Sequence, residues 1–372
     1  MTGCFTRRSV LALAGGAASL AGCSVLGTRR KPSLAELARA KGLRVGSAMN
    51  ARQLDDANYR ALILRECETI VAENEHKMYV IQPDPGPMNF APSDALADFA
   101  RTNGLKMRGH TLVWHHPRWL PDWINETEFS SPSAAEAELR RYISAVASRN
   151  QDVIYSWDVV NEAVDETTGE YRETSYSRAM GGAPEVIDAC FRIARDAAPG
   201  ATLAYNDYMS WEGGSANHRT GVLRLLEDLH KRGTPIDALG VQSHSNQDMP
   251  DEFTPAKKRA WRAFVDDVTS MGFDIYLTEF DVNDTRLPPD PALRDRIIAA
   301  YTEEYLGMML EYEEVKDLLV WGMTDRDSWL QTFLPREDGV EKRPAPYDSR
   351  FRPKPMRDAI ARALRQAPPR PA

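Results

Sequence analysis

The chain has 372 residues, of which 42% are hydrophobic and 27% charged, and a formal net charge of −8. These values describe a soluble globular protein with ample core, long enough for one large barrel or two ordinary domains. The acidic balance argues against nucleic acid as a partner and leaves room for a neutral polymer such as a polysaccharide.

The first segment reads as an address rather than as fold. Thr6-Arg7-Arg8-Ser9-Val10-Leu11 resembles a twin-arginine export motif, and the apolar stretch after it is too short to span a bilayer. Leu20-Ala21-Gly22-Cys23 resembles a bacterial lipobox, which implies that Cys23 is lipidated and becomes the new N-terminus. A plain secretory signal cut near the same place is the alternative. Either way the protein is expected to be exported, as a periplasmic or outer-surface lipoprotein or as a secreted protein. Residues 1–22 are expected to be the signal peptide, 23–33 a basic, proline-containing tether, 34–363 one α/β domain and 364–372 a disordered tail. The leader holds Arg7, Arg8 and no acid, so the remainder of the chain carries −10. Cys4 and Cys23 belong to the leader. Cys67 and Cys190 remain, each within a helical pattern, and are expected as buried free thiols rather than a disulfide framework.

From Leu34 the pattern alternates. Eight strand-like runs are expected at 44–48, 69–73, 106–114, 153–160, 201–205, 238–242, 274–278 and 317–321. Amphipathic stretches such as 133–148, 184–197, 216–231 and 255–271 lie between them, with apolar residues at three- and four-residue spacing. Alternating strands and helices imply a parallel sheet, and eight units over this length fit a single closed (β/α)8 TIM barrel. A doubly wound open sheet would favour a Gly-rich phosphate loop after the first strand, and Gly46-Ser47-Ala48-Met49-Asn50 lacks that fingerprint.

In such a barrel the carboxyl ends of the strands converge on one mouth. Two runs deliver a glutamate there: Trp157-Asp158-Val159-Val160-Asn161-Glu162 and Tyr276-Leu277-Thr278-Glu279. The other ends supply Glu73-Asn74, His110, Trp114-His115, Asn206-Asp207-Tyr208, Gln242-Ser243-His244 and Trp321. Polar groups mixed with indole rings suit a sugar chain, whose hydroxyls need donors and acceptors and whose pyranose faces rest on aromatics. Hydrolysing a glycosidic bond usually takes two carboxyl groups flanking it, one protonated and one ionised. No His-Glu-x-x-His or Cys-x-x-Cys spacing points to a metal, no Gly-x-Ser-x-Gly elbow to serine chemistry, and no cofactor is expected.

Six ordered segments carry a resemblance. They are His110-Thr111-Leu112-Val113-Trp114-His115, Trp157 to Ala163, Tyr205-Asn206-Asp207-Tyr208, Gly240-Val241-Gln242-Ser243-His244, Leu277 to Val282, and Trp321-Gly322-Met323-Thr324-Asp325 with Ser328-Trp329. Together they resemble family 10 glycoside hydrolases, the endo-1,4-β-xylanases, from about Leu34 to Pro355. The resemblance implies Glu279 as nucleophile and Glu162 as acid/base, in a retaining double displacement with carboxyl groups about 5–5.5 Å apart. It implies that His244 lies between Glu279 and Asp281, and an imidazole so placed would keep Glu279 anionic. Asn161 is implied to contact a sugar 2-hydroxyl. Glu73, Asn74 and Lys77 are implied to hold the next sugar toward the non-reducing end, His110 the sugar beside the cleaved bond, and Tyr208 the aglycone side.

Trp114, Gln242, Trp321 and Trp329 complete the expected substrate-binding set, with Trp329 as a stacking platform. Trp157 is expected in the core, and His115 and His116 as structural. Met78 stands where the family commonly has tryptophan, and Gln82-Pro83 where Glu-Pro is usual, which bears on the distal glycone subsite. The expected partner is xylan or a xylo-oligosaccharide, the expected state a monomer, and the expected membrane contact only the lipid on Cys23. A glucan- or mannan-cleaving barrel and a non-catalytic sugar-binding lipoprotein are the alternatives.

Overall fold

The computed structural model describes residues 31–246 and 253–371. The twin-arginine segment and Cys23 lie outside the described residues. Among the described residues, nine parallel-paired strands run in chain order: β1 (Arg44–Met49), β2 (Thr69–Ala72), β3 (Lys106–Trp114), β4 (Ile154–Asn161), β5 (Thr202–Asp207), β6 (Ala238–Val241), the short β7 (His244–Asn246), β8 (Asp274–Asn283) and β9 (Val315–Val320). Neighbours pair in sequence from β1 to β6, β6 pairs β8, β8 pairs β9, and β9 returns to β1. Eight strands therefore close a (β/α)8 barrel, as the alternating pattern predicts, and β7 is an addition at its rim.

The strands are buried on both faces because both are covered. Alternate residues divide between two layers: Ile70 and Ala72 of β2 join the large core, whereas Val71 joins a separate cluster with Ala48, Leu319 and Trp321. By strand alternation the first layer meets the helices and the second fills the barrel. Proline at the first helical position starts the helices Pro132–Ala147, Pro255–Ser270, Pro291–Met309 and Pro355–Gln366. Its missing N–H is a group the first turn leaves unpaired anyway. Two glycines are set by close approach. A Cβ at Gly109 would stand 2.1 Å from the ring of Trp157, which lies in the core as expected. A Cβ at Gly240 would stand 2.2 Å from Oδ1 of Asn206. Cys67 and Cys190 are buried and unbridged.

Three expectations need correcting. Of the expected tail 364–372, residues 364–371 are not loose. The last helix runs to Gln366, Ala367 is buried, and the Arg370 guanidinium donates to the carbonyls of Leu310, Tyr312 and Val315. Those carbonyls follow the helix Pro291–Met309, and one arginine fixes what proline-rich composition alone leaves free. Ser33, placed in the tether, caps the helix Leu34–Arg39 in a capping box with Glu36 and belongs to the folded body. Finally, β8 does not stop at Thr278 but continues to Asn283, because β7 supplies a partner: His244 pairs with Asp281 in register.

Candidate active site

The two glutamates reach the barrel mouth by different routes. β4 ends at Asn161, and Glu162 turns into the left-handed region at φ 56°, its N–H donating to the Asn206 carbonyl at 2.9 Å. A bulky residue held there stores roughly 1–3 kcal/mol of strain, the kind of distortion that clusters at functional positions. Glu279 instead sits within β8, its N–H donating to the Gln242 carbonyl at 2.9 Å. Both side chains are buried, at 8% and 5% exposure, and both border a cavity of about 860 Å³.

One hydrogen-bonded chain joins them. Glu162 Oε2 accepts from Trp114 Nε1 at 2.8 Å, and Oε1 accepts from Gln242 Nε2 at 2.8 Å and Asn161 Nδ2 at 3.1 Å. Asn206 Nδ2 donates to Asn161 Oδ1 and to Glu279 Oε1, each at 2.8 Å. Thr278 Oγ1 fixes that amide by donating to Asn206 Oδ1 at 2.7 Å. The space Gly240 leaves open is where this amide sits.

Their protonation diverges. Burial, then the charge of Asp207, pushes the Glu162 carboxyl up to about 7, with Glu279 adding to the shift and the Gln242 and Trp114 hydrogen bonds opposing it. Burial also favours neutral Glu279, but it is outweighed by the pull of His110, the hydrogen bond and charge of His244, and Lys77, which together hold Glu279 down at about 2. His244 Nε2 lies 3.2 Å from Glu279 Oε2 and Nδ1 lies 2.9 Å from Asp281 Oδ1. Burial would neutralise this ring, yet Asp281 and Glu279 overcome it and raise its pKa to about 10. Below about pH 7 Glu162 thus holds a proton while Glu279 is an anion held by an imidazolium.

The remaining expected residues stand around this pair. His110 Nδ1 lies 3.0 Å from Asp158 Oδ2, and Asp158 is itself clamped by both terminal nitrogens of Arg108, all buried. Glu73 accepts from Asn50 Nδ2 at 2.8 Å, and Lys77 Nζ donates to Asn74 Oδ1 at 3.1 Å while lying over the Trp114 ring. Tyr208 OH donates to Glu166 at 2.7 Å. Trp321 borders the cavity with His110 edge-on to it. Trp329 also borders the cavity, but its Nε1 is spent on Asp281 Oδ2 at 2.8 Å and its ring packs beside His244, so it holds the nucleophile's support as well as offering a face.

Asn161 is buried, its Nδ2 donating to Glu162 and its Oδ1 accepting from Asn206. His115 is buried and structural, with Nε2 at 3.1 Å from the Arg172 carbonyl, but His116 borders the cavity. Sequence reasoning missed Asn206 as the link between the carboxylates, although it stands in the Tyr205-to-Tyr208 segment. It also missed Tyr79 and Trp119, which line the cavity near Asn74. Met78 is buried in the core, so the aromatic surface at that corner comes from these two rings. Gln82 is buried too, bonding Arg141 and the Gly86 carbonyl. Among the described residues no group of three or more His, Cys, Asp or Glu side chains is arranged to hold a metal ion.

Comparison with known proteins names the family. The sequence model of glycosyl hydrolase family 10 matches residues 33–363. The chain belongs to glycosyl hydrolase family 10. Among family 10 relatives, an endo-1,4-β-xylanase A of Caldicellulosiruptor saccharolyticus is 31% identical over 335 residues, covering 87% of this chain and 92% of the relative. An endo-1,4-β-xylanase/feruloyl esterase of Xylanibacter ruminicola is 30% identical over 83% of this chain, which spans 44% of that longer protein. Xylanase 10B from Thermotoga petrophila RKU-1, solved in complex with xylobiose, superimposes with a TM-score of 0.80 at 30% identity, covering 91% of this chain and 98% of the other.

Proposed function

We propose that this protein is an endo-1,4-β-xylanase that cleaves internal β-1,4-xylosidic bonds of xylan or xylo-oligosaccharides by a retaining double displacement. The observation that carries this is the pair of buried carboxyls, linked through Asn161 and Asn206 and held in opposite protonation states. Family membership and the named xylanases among its relatives supply the substrate class.

The geometry performs the reaction in two halves. Ionised Glu279 attacks the anomeric carbon while protonated Glu162 gives its proton to the departing glycosidic oxygen, leaving a glycosyl ester on Glu279. Esterification removes the Glu279 charge, one of the contributions that raise Glu162, so Glu162 becomes more acidic as its role changes. As a carboxylate it then takes a proton from water, which attacks the same carbon and frees Glu279. His244 stabilises the anion at the start and at the end, and Asp281 keeps that ring charged and oriented.

The chemistry needs no cofactor, because the two carboxyls account for every proton moved. We assign the protein to the cell exterior as a monomer tethered through a lipid on Cys23. The twin-arginine-like and lipobox-like segments support this assignment. Cys23→Ser is expected to release the protein from membranes, and intact-mass measurement is expected to show the lipid lost.

Reducing-sugar release from xylan, carboxymethylcellulose and mannan tests the activity, with xylan expected to exceed the others by a wide margin. Equal rates on all three would refute the substrate assignment. Glu279→Ala is expected to keep xylo-oligosaccharide binding while losing turnover. Equal hydrolysis by wild type and this variant would refute the mechanism, whereas binding without turnover by wild type would favour a binding protein.

A further inference from the structure

We propose that Arg118 and Trp119 form a subsite for a uronic acid substituent on the sugar chain, with the guanidinium taking its carboxylate. The inference deepens the proposed action on xylan and rests on it.

The loop after β3 is anchored at both ends. His115 and Leu120 are buried, the His116 ring accepts from the Arg118 N–H at 3.1 Å, and the Trp119 N–H donates to the His116 carbonyl at 2.9 Å. Trp119 stacks on Trp114 with ring centroids 4.9 Å apart and planes inclined by 23°, and Trp114 in turn holds Glu162. The Arg118 guanidinium lies over the Trp119 ring, 4.8 Å from its centroid. Both residues border the cavity, on the side where Tyr79 and Asn74 stand.

The charges around the cavity single out this corner. Lys77 is buried and bonded to Asn74, and Arg172 is committed to Asp165, Glu166 and the Tyr208 hydroxyl. Arg118 is exposed and, among the described residues, has no ion pair. A guanidinium resting on an indole keeps its N–H edges free in the ring plane, the arrangement that grips a carboxylate with two parallel hydrogen bonds. A neutral xylose unit has no need of a fixed cation. An anionic substituent does, because acidic side chains line much of the rest of the cavity, among them Glu73, Glu166, Glu212 and Glu279. Repulsion there and attraction at Arg118 would direct a uronic acid to one position on the backbone.

The test compares wild type with Arg118→Gln on a linear xylo-oligosaccharide and on the same backbone bearing one glucuronic acid. Removing a solvent-exposed charge-assisted pair is expected to lower kcat/KM on the acidic substrate about fivefold. The linear substrate should change by less than about twofold by the same reasoning, since no charge pair is lost with it. Arg118→Lys should restore part of the loss, and added salt should erase the difference between wild type and Arg118→Gln. Parallel losses on both substrates, or no loss on either, would overturn the subsite. Failure of wild type to cleave the linear substrate would instead sink the xylanase reading itself, and the subsite with it.

Discussion

Asp281→Asn isolates the device that keeps the nucleophile ionised. The substitution preserves shape and an oxygen for Trp329, but it removes the charge that most raises the pKa of His244. Burial then weighs more heavily against the charged imidazole, which Glu279 alone continues to favour, and the His244 pKa falls. Glu279 then loses one of the charges that hold its carboxyl at about 2, while His110 and Lys77 still act on it, so its carboxyl rises toward its ordinary value of 4.5. At 1.36 kcal/mol per unit a complete return would cost about 3 kcal/mol of anion stabilisation, which is the upper bound of the loss. The sign follows from the mechanism. Activity needs ionised Glu279 and is lost as pH falls through its pKa. Wild type should therefore hold kcat/KM flat down to about pH 3, whereas the acid limb of Asp281→Asn should move up toward pH 4.5. An aryl xylobioside with a good leaving group is the suitable substrate, since it needs little help from Glu162. An acid limb that stays in place while activity drops by one factor at every pH would refute the assigned role of Asp281.

Other outcomes follow from the same geometry. Glu162→Ala should lower turnover of xylo-oligosaccharides by about 10²–10⁴-fold while the bond-breaking step on activated aryl glycosides suffers far less, and equal losses would contradict the acid assignment. Wild type should lose activity as pH rises through about 7, where Glu162 gives up its proton, and Gln242→Leu should move that alkaline limb upward because the Gln242 hydrogen bond favours the anion. Arg370→Ala should leave kinetics unchanged but lower unfolding stability by about 1–3 kcal/mol in urea, because buried carbonyls of residues 310–315 lose their donor.

Much of the site could be read from one dimension because a barrel strand places its last residues at a shared mouth. Glu162, Glu279, His110, Gln242, Trp114 and Trp321 were legible for that reason, and all six border one cavity. The departures have equally specific causes. Trp119 lies in a loop, where no periodicity reports direction, and only its stacking on Trp114 turns it toward the cleft. The register of β7 against β8 joins His244 to Asp281 across 37 positions, which no local pattern encodes.

Sequence alone determined the alternating strands and helices, their parallel closure and the identity of the two carboxyls, because these depend on periodicity and on residue type at strand ends. Only the tertiary structure supplied the physical cause of the two protonation states, the docking of the C-terminal segment and the position of Arg118 at the cavity. Those outcomes depend on burial and on charges distant in the chain, and burial and distance exist only after folding.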